Sequence, residues 1–351
     1  MFDQYVKRIG YACKTLYPDQ SLKKRELDEY QRPLNTRGTT VKWLNEQRRF
    51  VAEQRLVSIM KHNISSFYKL VEFVSNEPIE RRMVRLSSDC LPMYTQPDWQ
   101  WFWKQPDIRD YCSREFAKIG DLARKNDVRL SMHPGQFCCL ASDKEDVVIR
   151  SIDEFEYHVD MIRWMGYGTQ FQDFKCNVHV SGKRGVDGII EVLKKLTPEA
   201  RNVITFENDE YSTGIDELVK LRDHAALVFD NHHHWINSGE HLQPNDSRYQ
   251  KILDSWRGIR PVMHYSMSKQ EYLQSVDSKS LPNLQSLLNS GHKRGKLRAH
   301  SDYYTNQALN DLVHEFREYS DIMCESKQKN LASTRLHEYF IREESYASFD
   351  R

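Results

Sequence analysis

"RLSMHPGQF", residues 129–137, is a short strand-forming run that stops on an imidazole and turns at once through Pro134 and Gly135. A strand buried on both faces reads as nearly continuous apolar sequence, so a histidine at its end marks where the chain leaves the core. The same pattern recurs outward from this stretch. Buried-strand runs stand at 6–11 (VKRIGY), 82–87 (RMVRLS), 128–133, 177–180, 203–207 (VITFE), 226–230 (ALVFD), 262–265 (VMHY) and 322–325 (IMCE). Helical spacing fills the gaps: Val148, Ile152, Phe155, Val159 and Ile162 lie on one face of a 3.6-residue period, as do Ile64, Phe67, Val71 and Val74, and Leu309, Leu312 and Phe316. Strands alternating with helices in this way predict an α/β chain folded as a single (β/α)8 TIM barrel, with a doubly wound open sheet as the alternative. The barrel is expected over residues 1–330, followed by a polar C-terminal extension over 331–351.

Composition narrows the class without naming it. The 351 residues carry 51 basic and 50 acidic side chains, a net charge of +1, so bulk charge argues neither for nor against a polyanionic partner. There is no leader-like apolar segment and no run of about 18 apolar residues, so a cytoplasmic protein with no membrane partner is expected. A monomer is expected. Seven cysteines without a C-x-x-C pair fit reduced thiols, and Cys138 and Cys139 read as packing residues.

The strands end at or near Tyr11, Asp89, His133, His179, Glu207, Asp230, His264 and Glu325, each followed by loop sequence such as "HVSGKRG", "ENDEYSTG" or "DNHHH". In a barrel all these ends converge on one face. Carboxylates and imidazoles gathered there need cations to offset their burial, and His233 and His300 add two more donors from loops. Nitrogen and oxygen ligands without thiolate suit Zn²⁺, Mn²⁺ or Fe²⁺. So many ligands exceed the needs of one ion, and two or three are expected, with Glu207 and Asp230 bridging. Such clusters serve phosphoryl displacement; a metal-dependent sugar isomerase or epimerase would use a similar pair. Within His232, His233 and His234, the residue three after Asp230 is the candidate ligand. His232 reads as its support and His234 as a solvated side chain.

Taken in order, HPGQF, FENDE, FDNHHH, MHYS and AHSDY resemble the UV damage endonuclease family, relatives of the endonuclease IV type. The resemblance runs from about residue 8 to 330. It implies a TIM barrel with up to three metal ions, usually Mn²⁺ with Zn²⁺ or Mg²⁺ as alternatives. The implied reaction is hydrolysis of the phosphodiester immediately 5′ to a pyrimidine dimer, a 6-4 photoproduct or an abasic site in duplex DNA. It implies metal ligation by His133, His179, Glu207, Asp230, His233, His264, His300 and Glu325, with Glu207, Asp230 and His233 catalytic. Gln136 and Phe137 would be the pair that wedges into the duplex, and Tyr11 would contact the flipped dinucleotide. A poorly stacked lesion is cheaper to extrude than a normal pair, which gives a wedge its selectivity.

Departures from the family pattern are also visible. Asp89 stands where some members have His, Val262 where some have a modified lysine, Thr15 where Asn is common, and Phe137 where Tyr is frequent. The stretch from Met267 to Ala299 is long, and its tip holds Lys293, Arg294, Lys296 and Arg298, candidate phosphate contacts or a solvated loop. Lys183 and Arg184 are expected to touch the DNA backbone. The run "WQWFW" (99–103) covers the site, stacks bases or packs the core. A non-catalytic lesion-binding protein is the remaining alternative.

Overall fold

Alternation along each strand decides what each residue faces. The computed structural model describes residues 3–135 and 138–349. Its strands are β1 (Ile9–Ala12), β2 (Met83–Arg85), β3 (Arg129–Met132), β4 (Lys175–His179), β5 (Ile204–Glu207), β6 (Ala226–Val228), β7 (Val262–Tyr265) and β8 (Asp321–Cys324). They pair in parallel in the order β6-β5-β4-β3-β2-β1-β8-β7. A parallel bridge between Asp230 and His264, with His264 N donating to Phe229 O at 2.9 Å, brings β6 against β7 and completes the ring. This is the α/β TIM barrel expected.

One set of strand residues, including Leu130, Val178, Phe206, Phe229, Tyr265 and Ile322, packs into the large core beneath the helices. The intervening set, including Ala12, Met83, Val228, Val262 and Met323, forms a separate small cluster inside the ring. Tyr11 belongs with the first set. It is 4% exposed and its hydroxyl bonds the Thr15 hydroxyl at 2.8 Å, so the expectation that it reaches substrate is corrected: strand parity turns it toward the helices.

The crossover helices supply the outer layer. The helix Pro106–Lys125 opens with Pro at its first position and buries Ile108, Cys112, Phe116, Ile119 and Ala123 as one stripe. Full burial of a side chain such as Phe116 contributes roughly 2–3 kcal/mol. The helix Lys329–Phe349 lies against β1 and β8 and buries Ala332, Leu336 and Phe340. Residue 330 is therefore not a boundary. The segment expected as a polar extension is the last barrel helix, and its apolar stripe is diluted by the charged residues of its outer face. In "WQWFW", Trp99, Phe102 and Trp103 are buried, which favours packing. No helix among the described residues is long and apolar enough to cross a membrane.

An ion network seals the end of the barrel opposite the site. Fully buried Asp321 accepts from Arg129 Nη1 at 2.7 Å, Arg260 Nε at 2.8 Å and the Arg8 backbone N–H at 2.8 Å. Arg8 in turn bonds Asp127 at 2.6 Å.

Candidate metal centre

Inward parity at the last position of a strand places a side chain at the mouth of the ring, and β4 and β5 do this together, since His179 pairs with Glu207. Asp230 and His264 pair across the closing bridge. Asp230 also caps the helix Asn231–Ser238, its Oδ1 accepting from His233 N at 2.7 Å. That cap turns His233 back over the mouth. Asn208 holds Asp230 from the side, accepting from its N–H and donating to its carbonyl, both at 2.9 Å. The loop after His179 approaches Ala141 so closely that only glycine fits: a Cβ at Gly182, where φ is +113°, would lie 2.3 Å from Ala141 O.

Three overlapping triads result: His133, His179 and Glu207; Glu207, Asp230 and His233; and Asp230, His264 and Glu325. Within each, one ligand atom per residue lies within 4.8 Å of the others. They sit at an open cavity of about 510 Å³ whose wall includes Cys13, Arg85, Glu210, Arg298 and His300. Seven of the eight expected ligands are thus brought together, and His300 faces them from the wall.

The imidazoles are held in a way that suits metal. Nδ1 of His133 lies 2.8 Å from Pro134 O, Nδ1 of His233 3.1 Å from Asn208 O, and Nδ1 of His300 2.7 Å from Glu325 O. A ring N–H donated to a backbone carbonyl leaves the Nε2 lone pair for the cavity. Buried Glu207 Oε1, Asp230 Oδ2, His179 Nδ1 and His264 Nδ1 have no hydrogen-bond partner. Burying such atoms unsatisfied is costly, and divalent cations at the three triads would satisfy all four. The residues present therefore fit metal ions.

Protonation agrees. Burial lowers the His133 pKa to about 4, against the pull of Glu207, so the ring is neutral and able to ligate at neutral pH. Burial also acts on Glu207, but the surrounding His264, His179, His133 and His233 outweigh it and hold the carboxylate well below its usual range. Asp230 goes the other way, raised by burial and by the charges of Glu207 and Glu325. Burial disfavours the His233 imidazolium, yet the carboxylates of Asp230, Glu207 and Glu210 prevail and raise its pKa.

Several participants are ones the sequence reading did not name. β2 ends at Arg85, which ion-pairs with Glu325. Asp89, expected at that strand end, is exposed on the wall of a neighbouring pocket with Lys14 and Arg37. Asn177 donates to Glu207 Oε2 and accepts from Thr205 Oγ1 at 2.7 Å, fixing the carboxylate from below. Lys175, 2% exposed, places Nζ 2.8 Å from His264 Nε2, leaving Nδ1 of that ring 3.1 Å from Glu207 and 3.2 Å from Glu325. Glu210 lies 3.7 Å from His233 Nε2 and 3.2 Å from Arg298.

Other expectations resolve differently. His232 is buried with its nitrogens 3.1 Å from Ser266 and Ser268 hydroxyls, and its ring lies 5.8 Å from that of His300, which fits a supporting place. His234, expected in solvent, is 2% exposed and lies 3.4 Å from Glu240, because the helix that Asp230 caps carries it inward. Lys183 is exposed at the rim beside Asp143, and Arg184 folds onto Glu191. Arg294 donates to the carbonyls of Ile236 and Asn237 at 2.7 and 3.0 Å, closing the end of that helix. Gln136 and Phe137 lie outside the described residues.

Fold and site together define an α/β-barrel enzyme whose mouth is equipped to hold metal ions. Residues 7–347 match the UV-endonuclease UvdE family. The chain is 27% identical over 295 residues to the UV DNA damage endonuclease of Bacillus velezensis, covering 81% of this chain and 82% of that protein. To the UV DNA damage endonuclease of Bacillus cereus strain G9842 it is 27% identical over 310 residues, covering 85% and 86%. The crystal structure of SacUVDE superposes with a TM-score of 0.72 at 23% identity, covering 96% of this chain and 99% of that one. Endonuclease IV from Thermus thermophilus shares the fold at a TM-score of 0.50 and 14% identity, covering 79% and 94%. The chain belongs to the UV-endonuclease UvdE family, and it is an endonuclease. The isomerase and the non-catalytic binder that the sequence left open give way to that assignment.

Proposed function

We propose that this endonuclease repairs UV-damaged duplex DNA, hydrolysing the phosphodiester immediately 5′ to a pyrimidine dimer or 6-4 photoproduct, with abasic sites as further substrates. Two or three divalent ions, Mn²⁺ first among them, would be held by the triads of His133, His179, Glu207, Asp230, His233, His264 and Glu325, with His300 completing the set. The observation that carries this reading is the group of buried, unpartnered ligand atoms at an open barrel mouth in a chain of this family.

Bound there, the ions would supply an activated water and stabilise the departing oxygen. The chain's own residues set the stage. Glu207 and Asp230, each shared by two triads, hold neighbouring sites together. Asn177 and Arg85 fix the orientation of Glu207 and Glu325 so that neither carboxylate must reorganise as charge develops. The Pro134–Gly135 turn lines the cavity and leads into Gln136 and Phe137, which we assign to filling the gap left by an extruded lesion. Lys183 and Arg184, on the rim, would contact the backbone.

The test is a labelled duplex holding one defined cyclobutane dimer, incubated with protein and Mn²⁺, beside undamaged duplex and an EDTA control. The reading expects one Mn²⁺-dependent break immediately 5′ to the dimer, leaving a 3′-hydroxyl. Cleavage elsewhere, or equal cleavage of undamaged DNA, sinks it.

A further inference from the structure

Two arginines line the cavity among the described residues, and they are placed very differently. Arg85 is held by Glu325, its side chain 12% exposed. Arg298 is 49% exposed, with Nε 3.2 Å from Glu210 and its guanidinium 5.4 Å from the centre of the Tyr211 ring. Glu210 and Tyr211 line the same cavity, and the other oxygen of Glu210 lies 3.7 Å from Nε2 of His233, a triad residue whose Nδ1 lies 3.3 Å from Glu207.

We propose that Arg298 binds the phosphate on which the metal centre acts, exchanging Glu210 for two phosphate oxygens when DNA enters. This rests on the phosphodiesterase reading above. Three features carry it. The arginine end of the pair is 49% exposed and screened by solvent, while Glu210, 11% exposed, keeps His233 3.7 Å away as a second partner when Arg298 leaves. A planar guanidinium meets a phosphate with two parallel, charge-assisted hydrogen bonds, which an ammonium cannot do. The backbone that presents Arg298 is fixed. It ends the short helix Arg294–Leu297, Lys269 N donates to Ala299 O at 3.0 Å, and Ser301 N donates to Met267 O at 2.9 Å. Only Ala299 separates Arg298 from His300, so the guanidinium keeps a fixed reach to the triads. The long segment 267–299 then has a purpose: it delivers an exposed cation to a mouth whose other arginine among the described residues, Arg85, is tied to Glu325.

The experiment compares wild type with Arg298→Ala and Arg298→Lys in three measurements. These are kcat/KM on a dimer-containing duplex, the salt dependence of binding to that duplex in EDTA, and Mn²⁺ content with Tm as a check on integrity. Arg298→Ala is expected to lose on the order of 100-fold in kcat/KM. Its plot of log K against log salt should flatten by about one unit, with metal content and Tm unchanged. Arg298→Lys should keep the salt slope and recover only part of the rate, because its single ammonium replaces a fork. Wild-type kcat/KM or an unchanged slope in Arg298→Ala overturns the proposal; a purely structural role would lower Tm and leave the slope alone. If Arg298→Ala does not fold, Arg298→Lys decides, since full wild-type rate there excludes the two-oxygen contact. If wild type itself makes no cut, the proposed function fails separately. The binding slopes still decide the place of Arg298.

Discussion

Lys175→Met should stabilise the metal-free protein, by an amount that depends on pH. Lys175 lies at the start of β4, 2% exposed, beneath the metal positions. Burial pulls its ammonium from 10.5 down to about 7, with Arg85 and Arg129 pushing the same way and Glu207 and Glu325 opposing. A lysine whose folded pKa is depressed destabilises the fold wherever it is charged in both states. That penalty is complete below pH 7, shrinks as the folded form loses its proton first, and vanishes above 10.5. With 1.36 kcal/mol per pK unit, the linkage amounts to about 5 kcal/mol in full, of which roughly 2.6 falls between pH 6 and pH 9. Urea unfolding of both proteins in EDTA at these two pH values isolates the effect. The loss of packing and of the His264 contact affects both measurements alike. Stability of Lys175→Met relative to wild type should be about 2.6 kcal/mol more favourable at pH 6 than at pH 9. A difference that stays flat between the two pH values refutes the buried-charge argument.

Other outcomes follow from the same geometry. Lys175→Met should also weaken binding of Mn²⁺ by roughly 10- to 100-fold, because Lys175 orients His264, as titration calorimetry can read. Asp321→Ala leaves Arg129 buried without its carboxylate and should destabilise by about 3–5 kcal/mol in urea, with cleavage at low temperature retained because the network lies at the far end of the barrel. Gly182→Ala forces a Cβ against Ala141 O at a positive φ and should lower stability by about 1–3 kcal/mol, read by urea unfolding. Mn²⁺ at 100 times its Kd should raise unfolding free energy by about 2.7 kcal/mol, reversed by EDTA, and no such shift would mean that the triads do not bind it.

The barrel was legible because every strand but β1 carries its own signature: a short apolar run, a polar residue at an inward position at or near its end, then turn chemistry; in β1 the inward residues are Gly10 and Ala12. His179 and Glu207 are strand ends, His133 and Glu325 lie one residue beyond, Asp230 lies two beyond and His264 one before, and His233 follows from the Asp230 cap. The omissions have local causes. In "RMVRLS" the run leads on toward Asp89, although parity from Met83 already turns Arg85 inward. A charged residue at the start of a strand looks like loop sequence, which hides Lys175; counting back by twos from His179 through Asn177 finds it. The same parity, applied to Tyr11, would have placed that ring among the helices. Glu210 and Arg298 lie 88 positions apart and meet only in the folded chain; nothing local in "ENDEY" or "GHKRGKLR" pairs them.

The most direct test of the metal centre sets Glu207→Gln beside wild type after loading with Mn²⁺, measuring bound metal by mass spectrometry and nicking of a single-dimer duplex on the same samples. Glu207 belongs to two triads, so the variant is expected to fold, to have lost bound metal and to nick at a small fraction of the wild-type rate. A Glu207→Gln protein that cuts at the wild-type rate would contradict this.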